Sequence, residues 1–328
     1  MSKFIAGARG LACAVAISVA PFSASAATLN ADEILTQFNL VVFGSHMLNS
    51  QVHGRAFIGG SVSGSGGSMT TGNYKPPASG FADVSIAGSH ASGGINTVGG
   101  ATVEIGGSNS GHINNASSVK VGGASTHINS PLQQGVTGLN LDVAMAAFRA
   151  TMTAASEAVQ ALEETGNLSK NSQGVTFDAA PTDGRVVYHV GAADLTGGNI
   201  DIALNGADTV LINVSGKNIS FSQNFNTNEN IGANVLWNFF EAETLTLSNR
   251  FVGSVLAPNA SFANSNNVFG SVVVSSFTQG GQIHQQAWAG RLPGERFDAP
   301  APVPLPAAAW LLLGGLGMLF GLRRLKAA

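Results

Sequence analysis

Short apolar or alternating runs recur along most of the chain and predict strands. The β-branched run 39–44, closed by Gly44, indicates a buried strand. Later runs alternate between apolar and polar positions or are apolar throughout, and they lie at 185–190, 199–204, 209–214, 218–221, 234–240 and 244–248. We therefore expect a mainly β protein built from short strands.

Glycine turns and a repeat indicate how these strands are arranged. The pattern x-[Val/Ile]-Gly-Gly recurs at 57–60, 97–100, 104–107 and 120–123, His-Ile-Asn recurs at 112–114 and 127–129, and residues 251–256 match residues 268–273 at an offset of 17. Short strands with glycine corners are typical of a solenoid, where each turn stacks on the one below. The predicted fold is thus a β-solenoid. The Gly- and Ser-rich stretch 60–80 is predicted to be a loop rather than a rung.

One stretch, 139–165, lacks the pattern of short strands and glycine turns and predicts a long helix. Its apolar residues, spaced 4-3-4-3-4-3, form one stripe: Leu141, Met145, Phe148, Met152, Ala155, Val159 and Leu162. Asn140 is the predicted N-cap and Gly166 the predicted stop. We expect a helix over about 140–165 that packs alongside the β-structure; a cofactor-binding segment or a coiled-coil partner is the alternative.

The N-terminal segment 1–26 has the pattern of a secretory signal peptide. Cations precede the apolar run 11–20, and small residues form an Ala-x-Ala cleavage site at Ala24, Ala26 and Ala27. We expect export through the Sec translocon and cleavage by signal peptidase. The only cysteine, Cys13, lies in this segment. The mature chain therefore has no thiol, which excludes disulfides, cysteine zinc sites and cysteine nucleophiles.

The C-terminal segment 303–328 has the pattern of a membrane-directed tail. No charged residue lies between Pro306 and Arg323, and a basic cluster follows. Such a run, about 17 to 20 residues bounded by cations, is long enough to cross a bilayer with the cations inside. This predicts a transmembrane helix over 307–322. A Pro- and Ala-rich linker over 291–302 and a single β-domain over 27–290 are predicted before it.

The tail also resembles a known sorting signal. The residues that carry the likeness are Val303, Pro304, Leu305, Pro306, Arg323 and Arg324, which resemble the PEP-CTERM signal in its VPLPA form. The Glu of the usual Pro-Glu-Pro is absent. The resemblance implies recognition and cleavage by an exosortase, a transpeptidase in the inner membrane of Gram-negative bacteria, and then transfer to the cell surface or extracellular matrix. A plain transmembrane anchor is the alternative.

The β-domain resembles the choice-of-anchor A domain of bacterial secreted proteins. The motifs that carry this likeness lie at 38–44, 52–60, 235–239, 253–260 and 280–284. Members of that family share one outer domain attached to different anchors, so the resemblance agrees with a sorting tail. The domain with its long helix is also similar to bacterial ice-binding and adhesin β-solenoids. An ice face would need Thr-rich arrays over several rungs, and the sequence shows one, at 244–248.

The charge balance argues against nucleic acid as a partner. The chain has 15 Lys and Arg against 18 Asp and Glu. Five of the cations, Lys3, Arg9, Arg323, Arg324 and Lys326, belong to the two terminal segments. The remaining part is acidic, and an acidic surface repels phosphate backbones.

Candidate catalytic and metal-binding groups are few. None of the seven histidines, His46, His53, His90, His112, His127, His189 and His284, has metal-motif spacing. His112 and His127 could stack on one face and bind a cation, or could be corner residues bonded to backbone. The carboxylate pairs Asp201/Asp208 and Glu241/Glu243 lack a nearby cluster of cations. Calcium-loop and nucleophile-elbow motifs are absent from the sequence. We expect no catalytic residue, cofactor or metal.

The sequence therefore predicts a non-catalytic exported protein of the cell surface or extracellular matrix. Its expected role is adhesion or association with extracellular polysaccharide in a biofilm. An ice-binding-like adhesin is one alternative, and a carbohydrate-active enzyme on a β-helix is another.

Overall fold

A computed structural model describes residues 29–69, 76–98, 100–181 and 183–294. They contain two α-helices, α1 (Ala31–Gln37) and α2 (Leu141–Gln160), and two 3₁₀-helices, Ala192–Leu195 and Glu229–Asn234. The predicted signal peptide 1–26 with its cleavage site, most of the linker 291–302 and the whole tail 303–328 lie outside the described residues.

The strands are short, as the alternating runs predict. In chain order they are β1 (Leu40–Val42), β2 (His46–Met47), β3 (Ala56–Ile58), β4 (Val62–Ser63), β5 (Gly67–Met69), β6 (Val84–Ile86), β7 (Ile95–Thr97), β8 (Thr102–Ile105), β9 (Ile113–Asn114), β10 (Ser118–Val121), β11 (Ile128–Asn129), β12 (Leu132–Gln134), β13 (Leu168–Asn171), β14 (Gly174–Asp178), β15 (Arg185–Gly191), β16 (Asn199–Ala203), β17 (Thr209–Ser215), β18 (Asn218–Phe221), β19 (Asn224–Phe225), β20 (Val235–Asn238), β21 (Thr244–Leu247), β22 (Phe251–Val252), β23 (Ser254–Asn264), β24 (Val268–Phe269), β25 (Val272–Gln279) and β26 (Ile283–His284).

The chain winds into coils that stack in parallel register with three sides. One side, which we call the helix face, has the strand order β12-β10-β8-β6-β3-β1-β25-β23-β20-β17-β15. The second side, which we call the hydroxyl face, is built from β18, β21, the last parts of β23 and β25, then β2 and β4, and continues through bridges at His90, Asn109 and Ser125. The third side holds β14, β16, β19, β22, β24, β26, β5, β7, β9 and β11.

The coils do not stack in the order of the sequence. β1 lies in the middle of the helix face, and the coils that follow it in sequence stack outwards to one end of the sheet, at β12. α2 then connects to the opposite end of the stack. From there the later coils stack towards the middle, and the last of them places β25 beside β1. We call the junction the seam. It joins the halves on all three sides, through Leu40 and Val272, His46 and Phe277, and Val52 and Ile283.

The interior of the stack is a continuous apolar column. On the helix face, fully buried Leu40, Ala56 and Val84 lie in register on consecutive coils, and Val272 extends the column across the seam. Each buried valine or leucine of this column contributes about 1.5–3 kcal/mol to the free energy of unfolding through burial. One core therefore unites both halves of the chain.

α2 covers the outer surface of the helix face. Its stripe is buried as predicted from Leu141 to Val159, against Phe57, Val41 and Val273 among others. The helix is shorter than the predicted 140–165 because residues 165–166 leave it to bond the edge strand: both backbone N–H groups donate to the carbonyl of Val187. Asn140 precedes the helix with φ of 49° and makes no side-chain cap bond, so its predicted capping role is wrong.

α1 and the segment 285–294 close the helix face beside α2. α1 begins with the reciprocal bonds of a capping box between Asn30 and Glu33. Buried Asp32 accepts hydrogen bonds from the indole of Trp288 at 2.7 Å and from the backbone of Leu292 at 3.2 Å. The last described residues are thereby attached to the first.

The predicted fold class is wrong in its transmembrane helix. No helix in the described ranges is long and apolar enough to cross a bilayer, because α2, the longest, carries polar residues opposite its single stripe. The segment 307–322 lies outside those ranges. The structure is mainly β, with largely parallel sheets. The prediction that 60–80 is a loop is also wrong in part, since β4 and β5 lie within it.

Candidate functional site: the hydroxyl face

Small hydroxyl side chains line the outside of the hydroxyl face. Because strand residues alternate in direction, every second residue points outwards. One outward column, read from coil to coil in register, is Asn218, Thr244, Ser261, Ser276, Ser45, Ser61, Ser89, Ser108 and Ala124. The next is Ser220, Thr246, Ala263, Thr278, Met47, Ser63, Ala91, Ser110 and Thr126. All are exposed or half-buried.

The inward residues of the same strands support this face from below. At the seam, the ring of Phe277 stacks on Phe262 at a centroid distance of 4.8 Å and on His46 at 5.0 Å. Burial of the His46 imidazole lowers its pKa to about 4, and its Nε2 lies 3.0 Å from Gln279 Oε1. Stacked flat rings hold neighbouring coils at the spacing of a parallel sheet.

Beyond the seam the inward column becomes polar. Buried His90 contacts Asn109 Oδ1 at 2.6 Å through Nδ1, and its Nε2 contacts the hydroxyl of Ser92. Asn109 in turn donates to the carbonyl of Thr126 at 2.7 Å. Burial lowers the pKa of His90, so the ring is neutral at pH 7. Here hydrogen bonds between coils take the place of apolar packing.

The serine column is fixed by bonds between coils. The backbone N–H of Ser89 donates to Ser61 Oγ at 3.1 Å, and that of Ser108 donates to Ser89 Oγ at 3.1 Å. A hydroxyl has one donor and two acceptor sites. Ser61 and Ser89 therefore each keep the O–H and one lone pair for an outside partner, at a position set by the backbone.

The face carries no formal charge at its outward positions. Lys217 and Glu243 pair at 2.8 Å at its rim and are largely exposed. The outward Met47, 45% exposed, is a large apolar side chain near the centre, and Ala263, Ala91 and Ala124 are small apolar positions in the same columns. A broad, uncharged array of hydroxyls at regular spacing can exchange hydrogen bonds with a regularly hydroxylated surface, and it offers no counter-charge to an ionic one.

The sequence predicts only one row of this face. The predicted array 244–248 is β21, whose Thr244 and Thr246 point outwards. Other rows were missed because each contributes only one or two residues, separated by variable stretches of chain. A signal was present: Gly-Ser precedes the inward residue at 44–45, 60–61, 88–89 and 107–108. Neither column has threonine on three consecutive coils, which is the arrangement we expected of an ice face.

The other candidate residues lie at the rim of this face or away from it. His112 and His127 lie against one another on the third side, with ring centroids 4.8 Å apart and planes tilted by 39°. Glu241 accepts from the backbone of Gly216, and Glu243 pairs with Lys217. His284 stacks on Phe269 at 4.5 Å. Within the described ranges no group of three or more His, Cys, Asp or Glu side chains could hold a metal ion. The sorting and cleavage residues, 303–306, 323–324 and 24–27, lie outside the described residues.

Comparison with known proteins identifies a family of adhesive domains. The sequence model of a family described as "Putative Ice-binding-like adhesive domain" matches residues 31–285. This range includes every strand of the stack and α2. The match is to an adhesive domain family and does not extend to the choice-of-anchor A or PEP-CTERM families. No curated protein and no solved structure matches the chain.

Proposed function

This chain belongs to the ice-binding-like adhesive domain family, and from that premise we propose that it is a surface adhesin whose hydroxyl face binds an extracellular polysaccharide. The observation that carries the proposal is the hydroxyl column itself, in which Ser276, Ser45, Ser61, Ser89 and Ser108 follow one another in register. Family membership supports a location at the cell surface or outside the cell.

Weak contacts repeated over many coils suit adhesion to a polymer. A single hydrogen bond adds only about 0.5–1.5 kcal/mol net. When a rigid face makes several such bonds to one polymer, each further bond forms at a high effective concentration. The affinity of the whole face then exceeds that of any single contact. An extended polysaccharide repeats its hydroxyls as regularly as the stack repeats its serines. The neutral face favours an uncharged polymer or an uncharged stretch of one.

The experiment is binding of the full chain to insoluble neutral polysaccharides, such as cellulose, chitin and agarose, measured by depletion from solution. The variant Thr278→Glu/Ser63→Glu places two carboxylates in one outward column, on either side of Met47. We expect binding to at least one polymer and at least a tenfold loss in the variant. Asn129→Glu, exposed on the third side, is the matched control and is expected to bind as the unaltered chain does. Equal binding by all three proteins would refute the hydroxyl face as the adhesive surface.

Ice is the second candidate ligand. The family's description and the regular hydroxyl spacing favour it. The scarcity of aligned threonine argues against it, because serine lacks the methyl group that threonine would present. Thermal hysteresis and inhibition of ice recrystallisation test it directly, with the same variant and control.

Catalysis is not proposed. The adhesive family favours a non-enzymatic role. Of the two carboxylate pairs, Asp201, Glu241 and Glu243 accept local hydrogen bonds. Release of reducing sugar from a glycan that is abolished by one carboxylate substitution would establish the enzyme alternative.

Export and sorting belong to the same proposal. We infer cleavage by signal peptidase before Ala27, recognition of Val303 to Pro306 by an exosortase, and association with a biofilm matrix. Support comes from the sequence patterns alone. The intact mass of the protein recovered from cells tests both cleavages, since each removes a defined segment.

A further inference from the structure

A polar groove of about 530 Å³ lies along the corner between the hydroxyl face and the third side. It crosses the seam. The turns of successive coils contribute Gln282, then 49–51, then 65–68, then 93–94, and the third side adds Asn96, His112 and Asn114. The groove therefore runs parallel to the stack axis, past several coils.

Close packing of glycine turns leaves the floor of the groove without large side chains. A Cβ built on Gly67 would come 1.9 Å from the carbonyl oxygen of Ser50, and one on Gly93 would come 2.1 Å from that of Ser65. No other residue fits these positions, so backbone lies directly on backbone. The corner therefore stays open.

Side-chain amides form the walls. Asn114 Nδ2 donates to Asn96 Oδ1 at 2.9 Å, so Asn96 keeps both its N–H donors and Asn114 keeps its oxygen as an acceptor. On the opposite wall, Asn49 Oδ1 accepts from the backbone and the hydroxyl of Ser65, at 2.8 and 3.0 Å. These bonds fix the amides before any ligand arrives.

Among the described residues, the lining contains no Asp, Glu, Lys or Arg. Sugar hydroxyls both donate and accept, and a neighbouring amide donor and amide oxygen satisfy them in both directions. A uronate or a sulfate group would lose its hydration here, and the described lining offers neither Lys nor Arg to pair with it. The volume lies within the usual range for a ligand pocket and suits about two or three sugar rings.

We propose that this groove binds a single strand of a neutral polysaccharide, separately from the contact that the hydroxyl face makes with a polymer surface. The inference rests on the proposed function for its class of ligand and adds a second site of a different shape. A strand held along the stack axis would leave the flat face free for the bulk polymer.

The test is a titration of the full chain with soluble hexasaccharides of β-1,4-linked glucose, of agarose and, as a charged probe, of alginate. We expect saturable binding of a neutral hexamer, at least a tenfold weakening by Asn96→Ala/Asn114→Ala, and no saturable binding of alginate. Asn129→Ala is the matched control, because Asn129 pairs with Asn114 on the next coil but does not line the groove. It is expected to change the affinity less than twofold.

The experiments distinguish the groove proposal from the hydroxyl-face proposal. Thr278→Glu/Ser63→Glu should lose adhesion to the insoluble polymer and still bind the hexamer, because neither residue lines the groove. If no neutral hexamer binds, or if alginate binds as tightly, or if the double alanine variant binds as the unaltered chain does, the groove proposal is wrong. Adhesion that survives the glutamate variant contradicts the hydroxyl face instead.

Discussion

Leu40 pairs with Val272 in parallel register, although 232 positions separate them in the chain. This pair joins the first strand of the helix face to the last. The ends of the stack are consequently formed by the middle of the chain, β12 at one end and β13 to β15 at the other. Both halves depend on one junction, and the hydroxyl face and the groove both cross it.

We expect Leu40→Ala to destabilise both halves together. Leu40 is fully buried, and such a truncation costs about 2–5 kcal/mol through lost burial and a cavity. Urea denaturation followed by tryptophan fluorescence, which includes Trp237 in the later coils, should shift with the same midpoint as circular dichroism. Leu132→Ala is the control: this leucine is 40% exposed on the terminal strand, and we expect a change within about 0.5 kcal/mol. Two separate transitions would contradict a shared core.

A buried polar network attaches α2 to the helix face. Asn238 Oδ1 accepts from the Ser156 hydroxyl at 2.6 Å, and its Nδ2 donates to the Ser156 carbonyl and to Asn213 Oδ1, each at 2.8 Å. Asn238→Leu leaves these groups without partners, at about 1–3 kcal/mol for each unsatisfied group. We expect a loss of about 2–5 kcal/mol and faster amide exchange throughout α2.

The control for this network is Gln160→Ala, at an exposed position of the same helix. It should change the free energy of unfolding by less than about 0.5 kcal/mol. If α2 keeps its full amide protection in Asn238→Leu, apolar packing alone holds the helix, and the network has no part in its attachment.

The sequence predicted α2 well and its ends poorly, for a physical reason. The stripe from Leu141 to Val159 is a local property that any helix must bury. The end of the helix depends on a strand that appears only later in the chain: the carbonyl of Leu162 accepts from His189, and residues 165–166 bond to Val187. Such tertiary competition leaves no local signal at Gly166.

The hydroxyl face could be predicted from the sequence even less well than the ends of α2. Individual strands and glycine corners could be identified, and so could the stacked pair Phe251 and Val268 from the repeat of 17 residues. The seam could not be identified from the sequence. The first and last coils are far apart in the chain, and no repeat or residue spacing indicates that they pair. Without the seam, Ser276 and Ser45 cannot be placed side by side, and the hydroxyl column is not visible.

The burial of His46 predicts that the protein loses stability in acid. The folded-state pKa of this histidine, about 4, lies below the ordinary value of 6.5, so the unfolded chain takes up the proton first as the pH falls. The stabilisation is complete above about pH 6.5 and is lost between pH 6.5 and 4, by roughly 3 kcal/mol for this fully buried ring. Burial also lowers the pKa of His53 to about 4, which acts in the same direction.

His46→Phe keeps a ring stacked on Phe277 and removes the titrating group. Urea denaturation from pH 7 to 4 should show a shallower decline by roughly 3 kcal/mol than in the unaltered chain. Gln279→Leu is the matched control, because it breaks the same hydrogen bond but keeps the imidazole, and it should retain the steep decline. An unchanged slope in His46→Phe would mean that other groups cause the acid sensitivity.

Two features favour glycine at position 253: a positive φ and the close approach of Trp237. Alanine variants can separate the effects of the two on stability. The φ of Gly253 is +119°, and a Cβ there would lie 2.7 Å from two atoms of the Trp237 indole, whose Nε1 donates to the carbonyl of Val252 at 3.0 Å. Gly253→Ala should cost about 1–2 kcal/mol in strain and about 1–3 kcal/mol in overpacking. We also expect a shift in tryptophan emission as the indole moves. Gly206→Ala shares the positive φ, +87°, but nothing lies within 4 Å of its Cβ, so it should show the strain cost alone and unchanged emission. Equal losses in the two variants would mean that φ, rather than contact with Trp237, is what requires glycine at the corner.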